Sequence, residues 1–250
     1  MEGKYMYCLI QSNHQKTFGL CGLGDREDEL TTVAYKDISA VVSNCSLKEF
    51  TVSRQNTMAH EKAIEKVMKE HPVLPVRFST VADTEDDIIN KVLLPRYDEF
   101  KELLAWIADK EEIGVKARWL DMNQVFKEIA EGDERIKKLK ERIAKKGTGN
   151  AAYYEKIDLG KLVEAKLKEK KEQGKEKIIG ILKEKACDYK INPVYGDDII
   201  LNSAFLVKKA DEKDFFTLVS SIQEGYGAKA QLKYVTGSPP FNFVNIVIKL

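Results

Sequence analysis

The chain is short of the residues from which reactive sites are most often built. It has only three histidines in 250 residues. His60 and His71 are eleven positions apart on one predicted helix, which sets them on a similar face but about 16 Å apart at a rise of about 1.5 Å per residue. They cannot share a metal, and His60-Glu61 lacks the second histidine of the H-E-x-x-H pattern. The four cysteines, Cys8, Cys21, Cys45 and Cys187, show no C-x-x-C spacing, which argues against a zinc ribbon or a disulfide framework and predicts buried, inert thiols. Long apolar runs are also lacking. The first one, in MEGKYMYCLIQSNH, stops at Gln11 and is too short for a signal peptide. No segment approaches the roughly 20 apolar residues of a membrane helix, so the sequence reads as a soluble cytoplasmic protein. Net charge is nearly absent, with 41 Lys+Arg against 40 Asp+Glu, and no overall field steers the chain to nucleic acid or an anionic membrane.

What is present is a mixture of strand and helix signals. Residues 4–11 are apolar on both parities, as in a strand covered on two faces. The glycine-rich 18–24 reads as a connection. LTTVAY at 30–35 and ISAVVSNC at 38–45 predict a hairpin turning at Lys36-Asp37. A helix is predicted from Ser53, with Met58, Ile64, Val67, Met68 and His71 near one stripe, and Pro72 ends it. VLPVRFST at 73–80 is a buried strand whose Pro75, lacking a donor, predicts an edge or a bulge. Thr84 caps the next helix, which Pro95 should kink or split. EEIGVKARWL at 111–120 alternates as a strand, with Ile113, Val115, Ala117 and Trp119 on one parity.

From about 121 to 188 the sequence is helix-forming and rich in lysine. Residues 135–185 hold 17 Lys+Arg and 8 Asp+Glu, so charge is segregated even though the total is balanced. No apolar residue occurs from Lys168 to Lys177, which keeps that part of the helix from lying fully inside a core. GTGN at 147–150 marks a break between two helices. Beyond it come a strand at 200–209, a helix capped by Asp211 and ended by Gly225 and Gly227, and a strand at 228–235. The ending, FNFVNIVIKL, is apolar on both parities and predicts a terminal strand with both faces covered. The two ends of the chain are expected to share a layout of short strands with helices on one face, as in ferredoxin-like α+β folds.

The candidate chemistry is thin. GLCGLG at 19–24 lacks the Gly-Lys-Ser/Thr of a phosphate loop, and Asp25 stands where phosphate would bind. A β-like run follows it, against the dinucleotide fingerprint. Asp86-Asp87 and Asp197-Asp198 are adjacent pairs that point apart, and no nucleophile, base and oxyanion set assembles, so the reading is not an enzyme, with no cofactor. The lysine-rich helices could track a nucleic acid backbone through Lys166, Lys168, Lys170 and Lys171, as an alternative reading in which the chain is a regulatory protein. Interleaved Glu164, Glu169, Glu172 and Glu176 favour a solvated face instead.

Several segments, in order, resemble the GvpF/GvpL family of gas vesicle proteins: YMYCLI, ISAVVS, VLPVRFSTV, EEIGVKARW, NSAFLVKK and YVTGSPPFNFV. Leu74 and Pro75 precede an R-F-G-T pattern met by Arg77, Phe78 and Thr80, with Ser79 in the glycine place. The T-G-P-W-P-P-Y-S-F-V ending is met by Thr236, Gly237, Pro239, Pro240, Phe241, Phe243 and Val244, with Ser238 replacing the Pro-Trp pair. The resemblance implies a two-domain α+β protein. Its domains would be 1–109 and a modified ferredoxin-like 110–250 that includes the helical segment 121–188. It implies an accessory or minor structural protein at the gas vesicle, with the shell protein and other gas vesicle accessory proteins as partners and no catalytic residues. A sheet edge or apolar patch near Pro75 or the Ser238-Pro239-Pro240 turn is the expected contact.

Overall fold

The computed structural model describes residues 2–23, 26–46, 50–146 and 150–248. The chain divides into two compact units, one of Met1–Ile113, Leu206–Ala210 and Thr236–Leu250, the other of Gly114–Phe205 and Asp211–Val235.

The first unit is built on strands β1 (Glu2–Gln11), β2 (Thr17–Leu23), β3 (Arg26–Tyr35), β4 (Ile38–Ser46), β5 (Val73–Pro75) and β6 (Val81–Ala82), in the order β2-β3-β4-β1-β5 with β6 also on β1. The β3–β4 hairpin turns at Lys36-Asp37, where Lys36 takes φ 53°, as two-residue hairpin loops require. The glycine-rich 18–23, expected as a connection, is strand β2. Pairing with β3 outweighs the low strand propensity of glycine, and Gly19 at φ 74° sits in the bulge between Thr17 and Leu20. Gly24 lies outside the described residues.

Apolar residues on both parities of β1 have a specific cause. Its register with β4 shifts between Met6 and Cys8. Tyr5 and Tyr7 therefore share one core with Cys8 and Ile10, while Met6 and Leu9 belong to the other. Helix α1 (Arg54–Met68) covers the first face with Ala63, Ile64 and Val67. Ser53 caps it by accepting the Asn56 N–H. His60 rather than Met58 lies on its buried side, because the apolar stripe is set by the sheet and not by the chain's most hydrophobic positions. The opposite face is covered by a short turn α2 (Glu85–Asp87) capped by Thr84, a π-helical stretch at Ile88–Leu93, and α3 (Tyr97–Ile107) beyond Pro95. Ile88, Val92, Leu93, Phe100, Leu104 and Ile107 are their buried residues. With helices on both faces, this sheet does not share the one-faced layout expected of both ends.

The second sheet has the order β10-β7-β9-β8, made by β7 (Lys110–Trp119), β8 (Asp188–Ile191), β9 (Ile199–Lys208) and β10 (Ala230–Ser238). Helices α4 (Met122–Gly132), α5 (Glu134–Lys146) and α6 (Asn150–Leu182) intervene between β7 and β8, and α7 (Glu212–Tyr226) between β9 and β10. This is the β-α-β-β-α-β ferredoxin-like arrangement with its first crossover enlarged to three helices. Residues 147–149 of the predicted helix break lie outside the described residues. The lysine stretch 168–177 has no buried residue, while Leu167 before it and Ile178, Ile179 and Leu182 after it are buried. Gly174 approaches the sheet closely: a Cβ there would stand 2.9 Å from Ile200 Cγ2.

Three terminal expectations are corrected. Asp211 precedes α7 but its side chain makes no cap bond, since its backbone is not extended. Gly225 is inside the helix, and Gly227 at φ 55° ends it. Residues 241–248 are not a strand. Pro239 and Pro240 remove two ladder donors, and the carbonyl of Pro240 takes the N–H groups of Phe243 and Val244 in a turn. Val244 and Ile246 are buried in the first unit's core, whereas Phe241 and Val247 are exposed. One apolar side of the ending is thus covered by the protein itself. Of the cysteines, Cys8 and Cys45 are buried, Cys21 is half-buried and Cys187 is exposed, against the expectation of four buried thiols.

Candidate functional site

The two motif segments come together in the first unit. Val73, Leu74 and Pro75 are buried and pair with Ile10, Leu9 and Cys8 at the end of the sheet order, the edge position that Pro75 predicts. Val76 then donates to the Tyr7 carbonyl and bridges Ile246 of the ending in parallel sense. Arg77 to Ser79 turn away from β1, and the chain returns at Thr80, whose carbonyl accepts the Met6 N–H at 2.9 Å. The turn is closed by the Thr80 hydroxyl donating to the Arg77 carbonyl at 2.8 Å.

Ser79 stands at φ 66°, the left-handed region that favours glycine, and this explains why glycine suits the position in the R-F-G-T pattern. Serine is held there by two bonds. Its N–H donates to the Tyr5 hydroxyl at 2.9 Å, and its Oγ accepts the Phe50 N–H at 3.1 Å.

His60 is the centre of this region. Its Nε2 is 3.1 Å from the Val76 carbonyl, which only accepts, so Nε2 carries the proton. Nδ1 therefore accepts from the Tyr5 hydroxyl at 3.0 Å. The chain of bonds from Ser79 through Tyr5 and His60 to Val76 is complete, and burial pushes the imidazole down to about 4. Both ring nitrogens are engaged, which makes His60 a structural histidine. Phe78 packs edge-on against its ring at 5.8 Å, and Phe241 of the second motif lies 6.4 Å away.

The structure sorts the motif residues by exposure. Leu74, Pro75, Thr80, Pro239 and Pro240 are buried; Phe78 and Phe243 are half-buried; Arg77 and Gly237 are exposed. Arg77 makes no ion pair with any described residue. Phe241 is 41% exposed. A cation and two aromatic rings thus stand at the surface above a rigid, fully bonded support. His60 and Tyr5 are the residues that sequence reasoning did not single out for this role; a histidine and a tyrosine at apolar positions of predicted elements were the available signal.

Beside the second motif a cleft of about 520 Å³ opens between Thr236, Ser238 and Pro240 on one side and Met68, Pro72 and Ile107 on the other. Its charged groups do not converge on a reacting atom: Lys110 is paired with Asp109 at 2.7 Å, and Glu112 holds Asn242. No cluster of three or more His, Cys, Asp or Glu with metal-binding geometry occurs among the described residues, and no described helix is long and apolar enough to cross a membrane. Around the lysine-rich helix, Lys166 pairs with Glu169 at 2.7 Å, Lys170 with Glu128 at 2.9 Å, and Lys171 donates to the Gly196 carbonyl at 2.8 Å.

The sequence pattern described as gas vesicle synthesis protein GvpL/GvpF matches residues 3–245. Gas vesicle protein F of Nostoc sp. is 24% identical over 251 residues, covering 98% of this chain and 99% of that one. Gas vesicle protein L1 of Halobacterium salinarum is 24% identical over 256 residues, covering 97% and 90%. In fold, the chain is similar to the crystal structure of GvpF from Anabaena sp., with a TM-score of 0.83 at 22% identity over 99% of this chain and 100% of that one. The structure of GvpF from Microcystis aeruginosa gives 0.77 at 23% identity, over 98% and 99%. A match over almost the whole chain, on a fold that carries both motifs to one support, makes this protein a member of the GvpL/GvpF family of gas vesicle synthesis proteins.

Proposed function

We propose that the chain is an accessory or minor structural protein that binds the gas vesicle shell protein or other gas vesicle accessory proteins during assembly, through the face where its two motifs meet. The observation that carries this reading is the exposed Arg77 beside Phe78 and the exposed Phe241, the two rings packed against His60. Arginine and aromatic side chains supply most of the energy at protein interfaces, above all when held rigidly. A shell that excludes water needs subunits with apolar surfaces and open strand edges, which aggregate if left uncovered. A binding partner that covers them before assembly meets that need. The β5 edge is already taken at Val76 by Ile246, which favours docking by side chains over strand addition at that place.

The test is co-expression with a tagged shell subunit, and separately with each tagged accessory protein. The wild-type chain should co-purify, and Arg77→Glu with Phe241→Ser should not, while the variant keeps its thermal unfolding midpoint. No association with any of these partners under any co-expression condition would sink the proposal.

A further inference from the structure

The outer edge of the second sheet carries a pattern that is complementary to its own reverse. β8 is its last strand, and all four of its residues are exposed, as is Cys187 just before it. The five residues are Cys187, Asp188, Tyr189, Lys190 and Ile191: apolar, acid, aromatic, base, apolar.

The backbone fixes which groups of this strand are free. Asn192 donates its N–H to the Asn202 carbonyl at 2.8 Å, so its amide faces inward, and by alternation the amide of Lys190 does too. Those of Tyr189 and Ile191 then face outward. The Tyr189 N–H donates to the carboxylate of its own neighbour, Asp188, at 2.8 Å, as an outward-facing amide would. The side chains of Cys187, Tyr189 and Ile191 share one parity, and Asp188 and Lys190 share the other.

We propose that β8 pairs antiparallel with β8 of a second copy of this chain, about a two-fold axis at Tyr189. In that register Tyr189 faces its own counterpart, Asp188 of each copy faces Lys190 of the other, and Cys187 faces Ile191. The outward amides of Tyr189 and Ile191 meet outward carbonyls, as an antiparallel ladder needs. Charge selects this register over its neighbour. Moving the axis to Lys190 would also align outward amides, but it would set the two Lys190 ammonium groups directly opposite each other. The axis at Tyr189 instead creates two cross-strand ion pairs from residues whose mutual contact within one chain is a long 4.0 Å. Closed two-fold pairing of this kind uses the same patch on both copies, which the self-complementary pattern supplies. The inference is independent of the Arg77 face, which lies in the other unit.

Two measurements on the full chain test it. By sedimentation at rising concentration, the wild type should show reversible dimerisation. Asp188→Lys alone and Lys190→Asp alone should each weaken it roughly tenfold or more, since each sets like charges opposite twice. Mixing these two variants should restore dimers, as should Asp188→Lys/Lys190→Asp in one chain. Secondly, Ile191→Cys should form an intermolecular disulfide to the native Cys187 under mild oxidation, because a hydrogen-bonded pair sets Cα atoms about 5.5 Å apart. Within one chain the two sulfurs lie about 13 Å apart along the strand and cannot join. The crosslink should map to 187–191 and vanish in Cys187→Ser/Ile191→Cys. A chain that stays monomeric at all concentrations, a dimer indifferent to the charge reversals, or a crosslink elsewhere would overturn the pairing.

Discussion

Glu112 holds Asn242 with both carboxylate oxygens, one accepting its backbone N–H at 2.9 Å and the other its side-chain amide at 2.6 Å. Glu112 is only 6% exposed, and burial pushes its pKa up while the two Asn242 bonds oppose the shift. The pair ties the start of β7 to the turn after Pro240, and so places Phe241 and Val244 on either side of Asn242.

Removing the carboxylate should therefore loosen the ending. Glu112→Ala leaves the Asn242 donors buried without an acceptor and should cost about 2 kcal/mol. Glu112→Gln retains an acceptor and can pair with a rotated Asn242 amide, so its loss should stay below about 1 kcal/mol. Urea unfolding of the two variants checks the ranking, which would vanish if charge rather than hydrogen bonding were decisive, since both variants remove the same charge.

Stability should fall in mild acid because of His60. Its folded pKa, about 4, lies below the ordinary 6.5, so the unfolded chain takes up the proton first. The contribution is fully present above pH 6.5 and is lost as pH falls towards 4, by roughly 3 kcal/mol across that window. Denaturant midpoints measured from pH 7.5 to pH 4 should follow this slope, and His60→Phe should flatten it while lowering stability at neutral pH, since Tyr5 loses its acceptor.

At Ser79 the backbone and the side chain pull in opposite directions. Ser79→Ala keeps the left-handed strain and loses the bond to Phe50, for a cost of about 1 kcal/mol. Ser79→Gly loses the same bond but relieves about 1 kcal/mol of strain, and should come out close to wild type. Thermal midpoints of the two variants side by side provide the comparison.

Glycines along α6 should differ in sign. Gly160 and Gly180 have nothing within 4 Å of an added Cβ, so alanine there should stabilise by up to about 1 kcal/mol. Gly174→Ala would place its methyl 2.9 Å from Ile200 and should destabilise despite the better helix propensity. Equal effects at the three sites would show that α6 does not rest on β9 at Gly174.

How far the fold was legible depended on the range of the forces that set each element. The β3–β4 hairpin, the helix starting at Ser53, the Thr84 cap, the split at Pro95 and the alternation from Ile113 to Trp119 all rest on neighbours within a few residues, and each is as the sequence predicts. Strand β2 reads locally as a connection because its glycines disfavour a strand, while the decisive pairing comes from β3. The ending reads locally as a strand because its apolar residues occupy both parities. Its true course is set by Glu112, 130 positions away, and by Arg96, which donates to the Val247 carbonyl at 2.9 Å. The candidate face was legible only as two separate motifs.

The order of residues alone determined the α+β character and the segregation of positive charge into the helices between β7 and β8, because these follow from composition, periodicity and local backbone preference; the motifs by which the chain resembles its family are also carried by that order, as a likeness to other sequences rather than a consequence of periodicity. Tertiary structure decided that the motifs converge on His60, that Pro239 and Pro240 lie inside while Arg77 and Phe241 lie outside, and which strand edge is left open. Burial and long-range pairing are properties of the folded chain as a whole, and no local window of sequence contains them.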